Sequence, residues 1–538
     1  MTAPQSAKET GALLRERLPA VLPDYLKKQR WFGGKARRIL RVDIADTILL
    51  RLEHAEVAIV FAAVQYDDGP AEINVLPLRM AWNPGAAPEA SRSAIKISDG
   101  RGQELALEDA FEQPDFPGAL LDAIVKGRVL AEGAGEIEAR PTEALALVCG
   151  NPCSLPARPI RGEQSNSSVI YGDRLILKFF RRLEAGVHPD LELGLFLSER
   201  AHFAHIPRVA GSLEYRGRDG TTMTQGILQE FVPNEGDAWR YTVAVTEECY
   251  RRAVEMFDAG ETGELAGTRA GTPRYGRLPG PVEELLVPYI EKVKLLARRT
   301  AEMHLALASD AADPDFAPEP YSVFYQRERE RSTRELTDRV FRQLRNRLGD
   351  LPASLQAAAE RCLTFEPEIT RRFHGALNEP IRAMRTRIHG DYHLGQVLYT
   401  GSDFVIIDFE GEPARSLAER RTKRSPLQDV AGMLRSFHYS AFAPLLGAAK
   451  GGNRDTAQGK RAAPVAEAWY ARVREQFLET YLEVAGSAAF VPASRPQVDT
   501  LLEIHLLEKA VYELGYELNN RPDWVGIPMA GIARVLHV

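Results

Sequence analysis

Cysteine is scarce in this chain: Cys149, Cys153, Cys249 and Cys362 are the only four among 538 residues. So sparse a set excludes a disulfide-stapled scaffold, and Cys149 and Cys153 have no second Cys or His pair nearby to complete a zinc site. Four reduced, structural thiols are expected. Long apolar runs are also missing. No stretch approaches the roughly 20 apolar residues that cross a bilayer, and the polar opening over residues 1–10 lacks the apolar core of a signal peptide. A cytoplasmic location with no membrane partner is predicted. Nor is there an excess of positive charge: 68 Lys and Arg against 74 Asp and Glu leave a formal net charge of −6. That balance gives no general attraction to nucleic acid or anionic lipid, and neither is expected as a partner. No short-period repeat or low-complexity tract appears.

What is present suits a folded chain with a sizeable core: 44% of residues are hydrophobic and 26% charged. Two to four structural units are expected if a domain takes about 100–200 residues. Residues 43–52, 56–64, 71–80 and 94–97 alternate or cluster apolar side chains as strands do, with a turn at Asp67-Asp68-Gly69-Pro70 and a helix over 13–28. A second strand-rich block contains residues 168–171, 174–180 and 226–232, with a helix over 189–201. Beyond about residue 234 apolar residues recur at three- and four-residue steps, as in 287–307, 328–348 and 467–484, which predicts helices. Residues 447–464, rich in Gly, Lys and Arg, are expected to be a mobile loop or insertion. The division predicted is a β-rich cap over 1–110, a small α+β lobe over 111–233, and a mainly helical lobe over 234–538.

The strongest local signal is His389-Gly390-Asp391-Tyr392-His393-Leu394-Gly395-Gln396, followed by the apolar run Phe404-Val405-Ile406-Ile407 that ends in Asp408-Phe409-Glu410. Phosphoryl transfer needs one carboxylate to orient or deprotonate the attacking hydroxyl and others to hold Mg²⁺ against the phosphates. Mg²⁺ prefers hard oxygen ligands, which Asp and a Gln carbonyl supply. Two Asp residues 17 positions apart can reach one site if a tight strand–turn–strand joins them. The ordinary alternative is a turn carrying Asp391 and a strand end carrying Asp408.

His-Gly-Asp-x-His-x-x-Gln followed by Ile-Asp-Phe-Glu resembles the catalytic and metal-binding loops of aminoglycoside phosphotransferase-type kinases. The resemblance implies an α+β, bilobal protein-kinase-like fold with a β-rich N-terminal cap. It implies Asp391 as catalytic base, Gln396 and Asp408 as Mg²⁺ ligands, and Glu410 as a further ligand or supporting group. Kinases of this type often have Asn where this chain has Gln396. An ATP-holding lysine is then expected in the small lobe. Lys178, inside the apolar strand Leu175-Ile176-Leu177-Lys178-Phe179-Phe180, would be costly without an anionic partner. Glu192 is the preferred partner and Glu184 the second. Gln164, Ser165, Asn166, Ser167 and Ser168 occupy the place of a phosphate-covering loop, although not a Gly-rich one. Gln229, Glu230, Phe231 and Val232 resemble the hinge that meets adenine through its backbone.

Three further stretches resemble the maltokinase family: Gln29-Arg30-Trp31-Phe32-Gly33-Gly34-Lys35; Arg299-Thr300-Ala301-Glu302-Met303-His304; and Arg420-Arg421-Thr422-Lys423-Arg424-Ser425-Pro426-Leu427-Gln428-Asp429. The first, taken physically, is a packed corner of the cap. His304 is expected to be a satisfied core histidine, and Asp429 to cap the next helix. The basic run 420–424 is either a solvated loop or part of an activation segment. The resemblance implies ATP-dependent phosphorylation of maltose at its anomeric hydroxyl, feeding α-glucan synthesis, with trehalose synthase as pathway or complex partner. Tyr512, Glu513, Arg521 and Trp524 are expected as a sugar wall, with His389 and Tyr392 also touching the acceptor. The rivals are a kinase of glucosamine, another sugar or an aminoglycoside, and a non-catalytic nucleotide-binding scaffold for trehalose synthase. A protein kinase is disfavoured by the missing Gly-rich loop and by His-Gly-Asp in place of His-Arg-Asp.

Overall fold

The computed structural model describes residues 7–82, 94–98, 103–131, 135–150, 155–160, 166–259, 278, 280–378, 380–447 and 457–537. The chain forms two compact units, one of Met1–Ser198 with Pro207–Pro233 and one of Glu199–Ile206 with Asn234–Val538.

The first unit opens with α1 (Ala7–Lys28), then β1 (Ile39–Arg51), β2 (Glu56–Tyr66), β3 (Glu72–Trp82), β4 (Ile95–Ser98) and β5 (Glu104–Asp109). It continues with α2 (Asp115–Val125), β6 (Val129–Leu130), β7 (Glu136–Pro141), α3 (Glu143–Cys149), β8 (Ala157–Pro159), β9 (Asn166–Tyr171), β10 (Leu175–Phe180), β11 (Arg182–Leu183), α4 (Pro189–Leu195), β12 (Val209–Arg216) and β13 (Thr222–Glu230). One antiparallel sheet runs β1-β2-β3-β5-β4, with β11 also on β3, and the other runs β6-β7-β12-β13-β10-β9-β8.

The two-residue period of a strand explains the layering. On β2, Val57, Ile59 and Phe61 enter a core shared with Leu175, Leu177 and Ile227 of the second sheet. The alternate residues Ala58, Val60, Ala62 and Val64 meet Leu14, Leu18 and Leu22, a one-turn repeat on α1. The first sheet is thus buried on both faces. The chain passes straight from β10 of one sheet into β11 of the other.

The second unit contains α5 (Ala238–Asp258), α6 (Gly280–Leu307), β14 (Glu319–Pro320), α7 (Val323–Arg347), α8 (Ala353–Leu363), α9 (Glu366–Asn378), β15 (Met384–Arg385), β16 (Val397–Tyr399), β17 (Phe404–Ile406), α10 (Leu417–Arg420), α11 (Leu427–Gly447), α12 (Ala457–Ala485), α13 (Arg495–Asn520) and α14 (Gly526–Leu536). Helix α11 is the spine: Val430, Ala431, Met433, Leu434 and Phe437 are fully buried, and it packs on α5, α12, α13 and α14. Chain from Ala457 onward is already helical, which corrects the loop expected to reach residue 464; residues 448–456 lie outside the described residues. Among the described residues no helix is long and apolar enough to cross a membrane.

Cys249 and Cys362 are free and buried, and burial pushes their thiols up to about 11 and about 12. Cys149 is disulfide-bonded, a correction to the expectation of four reduced thiols: a low cysteine count across a chain does not decide the state of any one thiol.

Candidate active site

In the first unit the alternation of β10 sends Leu175, Leu177 and Phe179 into the core and turns Lys178 to the other face. Its ammonium lies 3.3 Å from Oδ2 of Asp190, whose side chain is 1% exposed. Asp190 occupies the first turn of α4, just after Pro189, where a helix favours negative charge. Glu192, the partner expected from sequence, lies two residues on and is half-buried. Asp190 and Glu192 both belong to the acidic first turn of α4, which brings negative charge beside β10.

Gln164 and Ser165 lie outside the described residues. Asn166, Ser167 and Ser168 form the start of β9 and pair with Phe180, Phe179 and Lys178. Ser167 is held by Arg181, a residue the sequence analysis passed over. Arg181 is 2% exposed, donates from Nε to Ser167 Oγ at 2.8 Å, and grips Asp109 with Nη2 at 2.7 and 2.9 Å. Its guanidinium also faces the Trp31 ring at 5.0 Å. The Gln29–Lys35 motif is accordingly a packed corner, with Phe32 buried and Gly34 so close to Tyr66 that a Cβ would meet its hydroxyl at 2.4 Å. In the hinge-like stretch, the N–H groups of Glu230 and Phe231 are already given to the carbonyls of Arg208 and Arg174 at 2.8 Å. Gln229 sits on β13 opposite Ile176, and Val232 is half-buried just beyond the strand.

In the second unit the 389–396 motif forms an irregular loop leading into the hairpin β16–β17, the strand–turn–strand that the spacing required. The loop is held from beneath by a buried carboxylate. Asp429 accepts the backbone N–H of His389 at 2.7 Å and of Gly390 at 2.9 Å. His304 meets the same carboxylate through Nε2 at 3.2 Å, and its Nδ1 meets the Tyr481 hydroxyl at 2.9 Å. Burial works against the Asp429 anion, but the hydrogen bond and charge of His304 and the Gly390 N–H outweigh it and hold the carboxyl below its ordinary value. His304 is therefore the satisfied core histidine expected. Asp429 caps the 389–396 loop and not its own helix, because α11 enters directly under that loop. Gly432 permits the approach: a Cβ there would lie 2.6 Å from the Tyr392 carbonyl.

Asp391 stands at the rim of a small cleft of about 50 Å³ lined also by Glu412, Arg415, Lys509 and Tyr512. Its Oδ1 lies 3.3 Å from Nζ of Lys509, and Oδ2 lies 4.0 Å from Nε2 of His393. Asp408 takes a left-handed backbone at φ +69°, a conformation that Asp tolerates better than most residues. Carboxylate oxygens of Asp408 and Glu410 lie within 4.8 Å of one another. The Gln396 carbonyl accepts the Ile407 N–H at 3.0 Å, and His389 Nε2 bonds the Ile407 carbonyl at 2.9 Å, so the loop is tied to the end of β17. Asp408, Glu410 and the amide of Gln396 are hard oxygen donors of the kind Mg²⁺ takes.

Two sugar contacts are corrected. The His389 and Tyr392 rings point into the core, 1% and 2% exposed, where His389 packs on Phe409 and the Tyr392 hydroxyl meets Thr300 Oγ1 at 2.9 Å. Neighbours of Asp391 in sequence need not share its face in an irregular loop. The proposed wall also divides. Tyr512 lines the cleft. Glu513 is bound by buried Arg435 at 2.7 and 2.9 Å. Arg521 and Trp524 lie just beyond the C-terminal end of α13, with Arg521 paired to Glu517 at 2.6 Å and stacked 4.4 Å over the Trp524 ring. In the basic run, Lys423 and Arg424 are buried, Lys423 against Glu319 at 2.9 Å, and burial pushes Arg424 down to about 10.

The model of the phosphotransferase enzyme family matches residues 156–483, more than half of the chain. The chain belongs to that family. Residues 25–112 of this phosphotransferase match the maltokinase N-terminal cap domain. Its relatives include a glucosamine kinase of Mycolicibacterium smegmatis, 26% identical over 396 residues that cover 70% of this chain and 79% of that protein. A glucosamine kinase of Streptacidiphilus jiangxiensis is 23% identical over 394 residues, covering 71% and 75%. Among solved structures, a glucosamine kinase aligns over 99% of this chain and 100% of that chain, with a TM-score of 0.63 and 19% identity. A glucosamine kinase in complex with glucosamine, ADP and inorganic phosphate aligns over 95% and 98%, with a TM-score of 0.59 and 19% identity. The α+β kinase-like fold with a β-rich N-terminal region is thus the fold of this phosphotransferase.

Proposed function

We propose that this phosphotransferase is a cytoplasmic maltokinase that moves the terminal phosphoryl group of ATP to the anomeric hydroxyl of maltose. The observation that carries the acceptor class is the pairing of carboxylates in the cleft. Asp391 has Lys509, Glu412 has Arg415 at 2.5 Å, Glu508 has Arg329, and Asp429 has His304 and two backbone N–H groups. No carboxylate of that group is left over for an ammonium, which suits a neutral sugar. The maltokinase-type cap supports the same choice. Glucosamine is the second reading, favoured by the names of the relatives.

In the proposed division of labour, residues 1–110 are the cap, 111–233 hold ATP and 234–538 carry the chemistry. Lys178, set by Asp190, meets the α- and β-phosphates; Glu192, the 164–168 segment and the hinge-like 229–232 stretch complete the nucleotide site. Gln396, Asp408 and Glu410 would hold Mg²⁺, which when bound neutralises charge on the phosphates. Asp391 orients the sugar hydroxyl through one carboxylate oxygen and receives its proton late. Tyr512 offers a ring to the sugar face, with Glu513 next to it on α13 and Arg521 and Trp524 just beyond that helix. The product would feed α-glucan synthesis, with trehalose synthase as partner. Asp391→Ala is expected to lower kcat by about 10²–10⁴-fold while leaving ATP affinity unchanged in equilibrium binding. Normal turnover by that variant would remove Asp391 from its role.

A further inference from the structure

Lys509 is not among the site residues expected from the sequence. It lies on α13 within Leu506-Leu507-Glu508-Lys509-Ala510-Val511, the kind of apolar setting that drew attention to Lys178. Its side chain is 28% exposed, and Nζ stands 3.3 Å from Oδ1 of Asp391. Nζ also lies 5.1 Å from the Tyr512 ring centroid, so the cation shares its aromatic neighbour with the cleft. Burial disfavours this ammonium, but Asp391, Glu513 and Glu412 more than reverse that and hold it above the ordinary lysine value. Lys509 is therefore a fixed positive charge throughout the working pH range.

A base that takes a sugar proton needs one carboxylate oxygen anchored and the other open to the hydroxyl. Lys509 occupies Oδ1. His393 Nε2 stands 4.0 Å from Oδ2, beyond hydrogen-bond reach. The second consequence concerns charge. An acceptor hydroxyl on Asp391 must come close to Lys509, and an aminosugar would bring its own ammonium there. Like charges in a half-buried cleft repel strongly.

We propose that Lys509 is a positioning residue for the Asp391 carboxylate and the element that excludes cationic acceptors from the cleft. The proposal rests on Asp391 as the base and deepens the neutral-sugar reading.

The test uses the full chain and its Lys509→Met and Lys509→Arg variants, with Mg²⁺-ATP and either maltose or glucosamine. For K509M, kcat with maltose is expected to fall about 100-fold, as for other misplacements of a reacting group, with the KM for ATP within about twofold of wild type. The ratio of kcat/KM for glucosamine to that for maltose should rise at least about tenfold, because a repelling cation has gone. K509R, which retains the charge, should recover most of kcat and the wild-type ratio. A K509M enzyme with wild-type kcat overturns the positioning role, and an unmoved acceptor ratio overturns the exclusion. If K509M does not fold, K509R decides: a ratio shifted toward glucosamine in that variant overturns the exclusion, and a kcat as low as that of D391A overturns the positioning. The wild-type panel tests the maltose reading separately, since the change in kcat is read on whichever neutral sugar the wild type accepts. Wild-type turnover of glucosamine at the rate of maltose overturns the exclusion outright.

Discussion

Each unit ties a functional segment down with one buried charge, but the two charges act on different groups. In the first unit a guanidinium does it: Arg181 joins Asp109 at the end of β5 to Ser167 on β9, side chain to side chain. In the second unit a carboxylate does it: Asp429 takes two consecutive backbone N–H groups at the start of the loop proposed as catalytic. The strand β9 is already held by its ladders to β8 and β10, so Arg181 only has to fix its end against the first sheet. The catalytic loop has no ladder, and Asp429 substitutes for one. A side-chain tie trims an element that would form anyway, whereas a tie to the main chain decides the loop's conformation. The second should be the more costly to lose.

Asp429→Ala should show the largest effect. It leaves two backbone donors and His304 without their buried acceptor, a loss of about 3–5 kcal/mol, measurable by chemical denaturation. Turnover should fall at least about 100-fold, since Asp391 is carried on the released loop. Arg181→Met comes next. Asp109 is half-buried and can turn to water, so about 2–3 kcal/mol is expected, with KM for ATP raised and kcat with saturating ATP kept within about threefold. If R181M costs as much kcat as D429A, the comparison fails.

The smallest effect is the pH dependence of the Asp429 anchor. Its folded value is depressed, so its stabilisation is fully present above the unfolded carboxyl value of about 3.9 and is lost as pH falls through the lower folded value. Urea titrations of wild type and D429N should therefore differ by a constant amount from pH 5 to 8 and converge below about pH 4. A difference that changes between pH 6 and 8 would contradict this.

The parts of the site legible in the sequence were those that chemistry writes into one short segment. The 388–410 run announced its loop, hairpin and carboxylates, and a lysine inside an apolar strand announced Lys178. Partners brought in by tertiary packing were not legible. Asp190, buried against Lys178, was not singled out beside Glu192, although both lie in the first turn of α4. Asp429 could be seen as a cap, but not that the capped segment lay about 40 positions earlier in the chain. Lys509 obeyed the rule that found Lys178 and was missed because α13 was read as a sugar wall. His389 and Tyr392 were assigned to the acceptor by adjacency, a guide that fails where no strand or helix period orders the side chains.

The most direct test of the central claim is an acceptor panel. The purified protein is incubated with Mg²⁺-ATP and maltose, glucose, glucosamine, trehalose or kanamycin, ADP release is followed, and the phosphorylated carbon is located by phosphorus NMR. ADP release with maltose alone, and phosphate on the anomeric oxygen, is the predicted result. Turnover with glucosamine or kanamycin in place of maltose, or phosphate on any other hydroxyl, would contradict it.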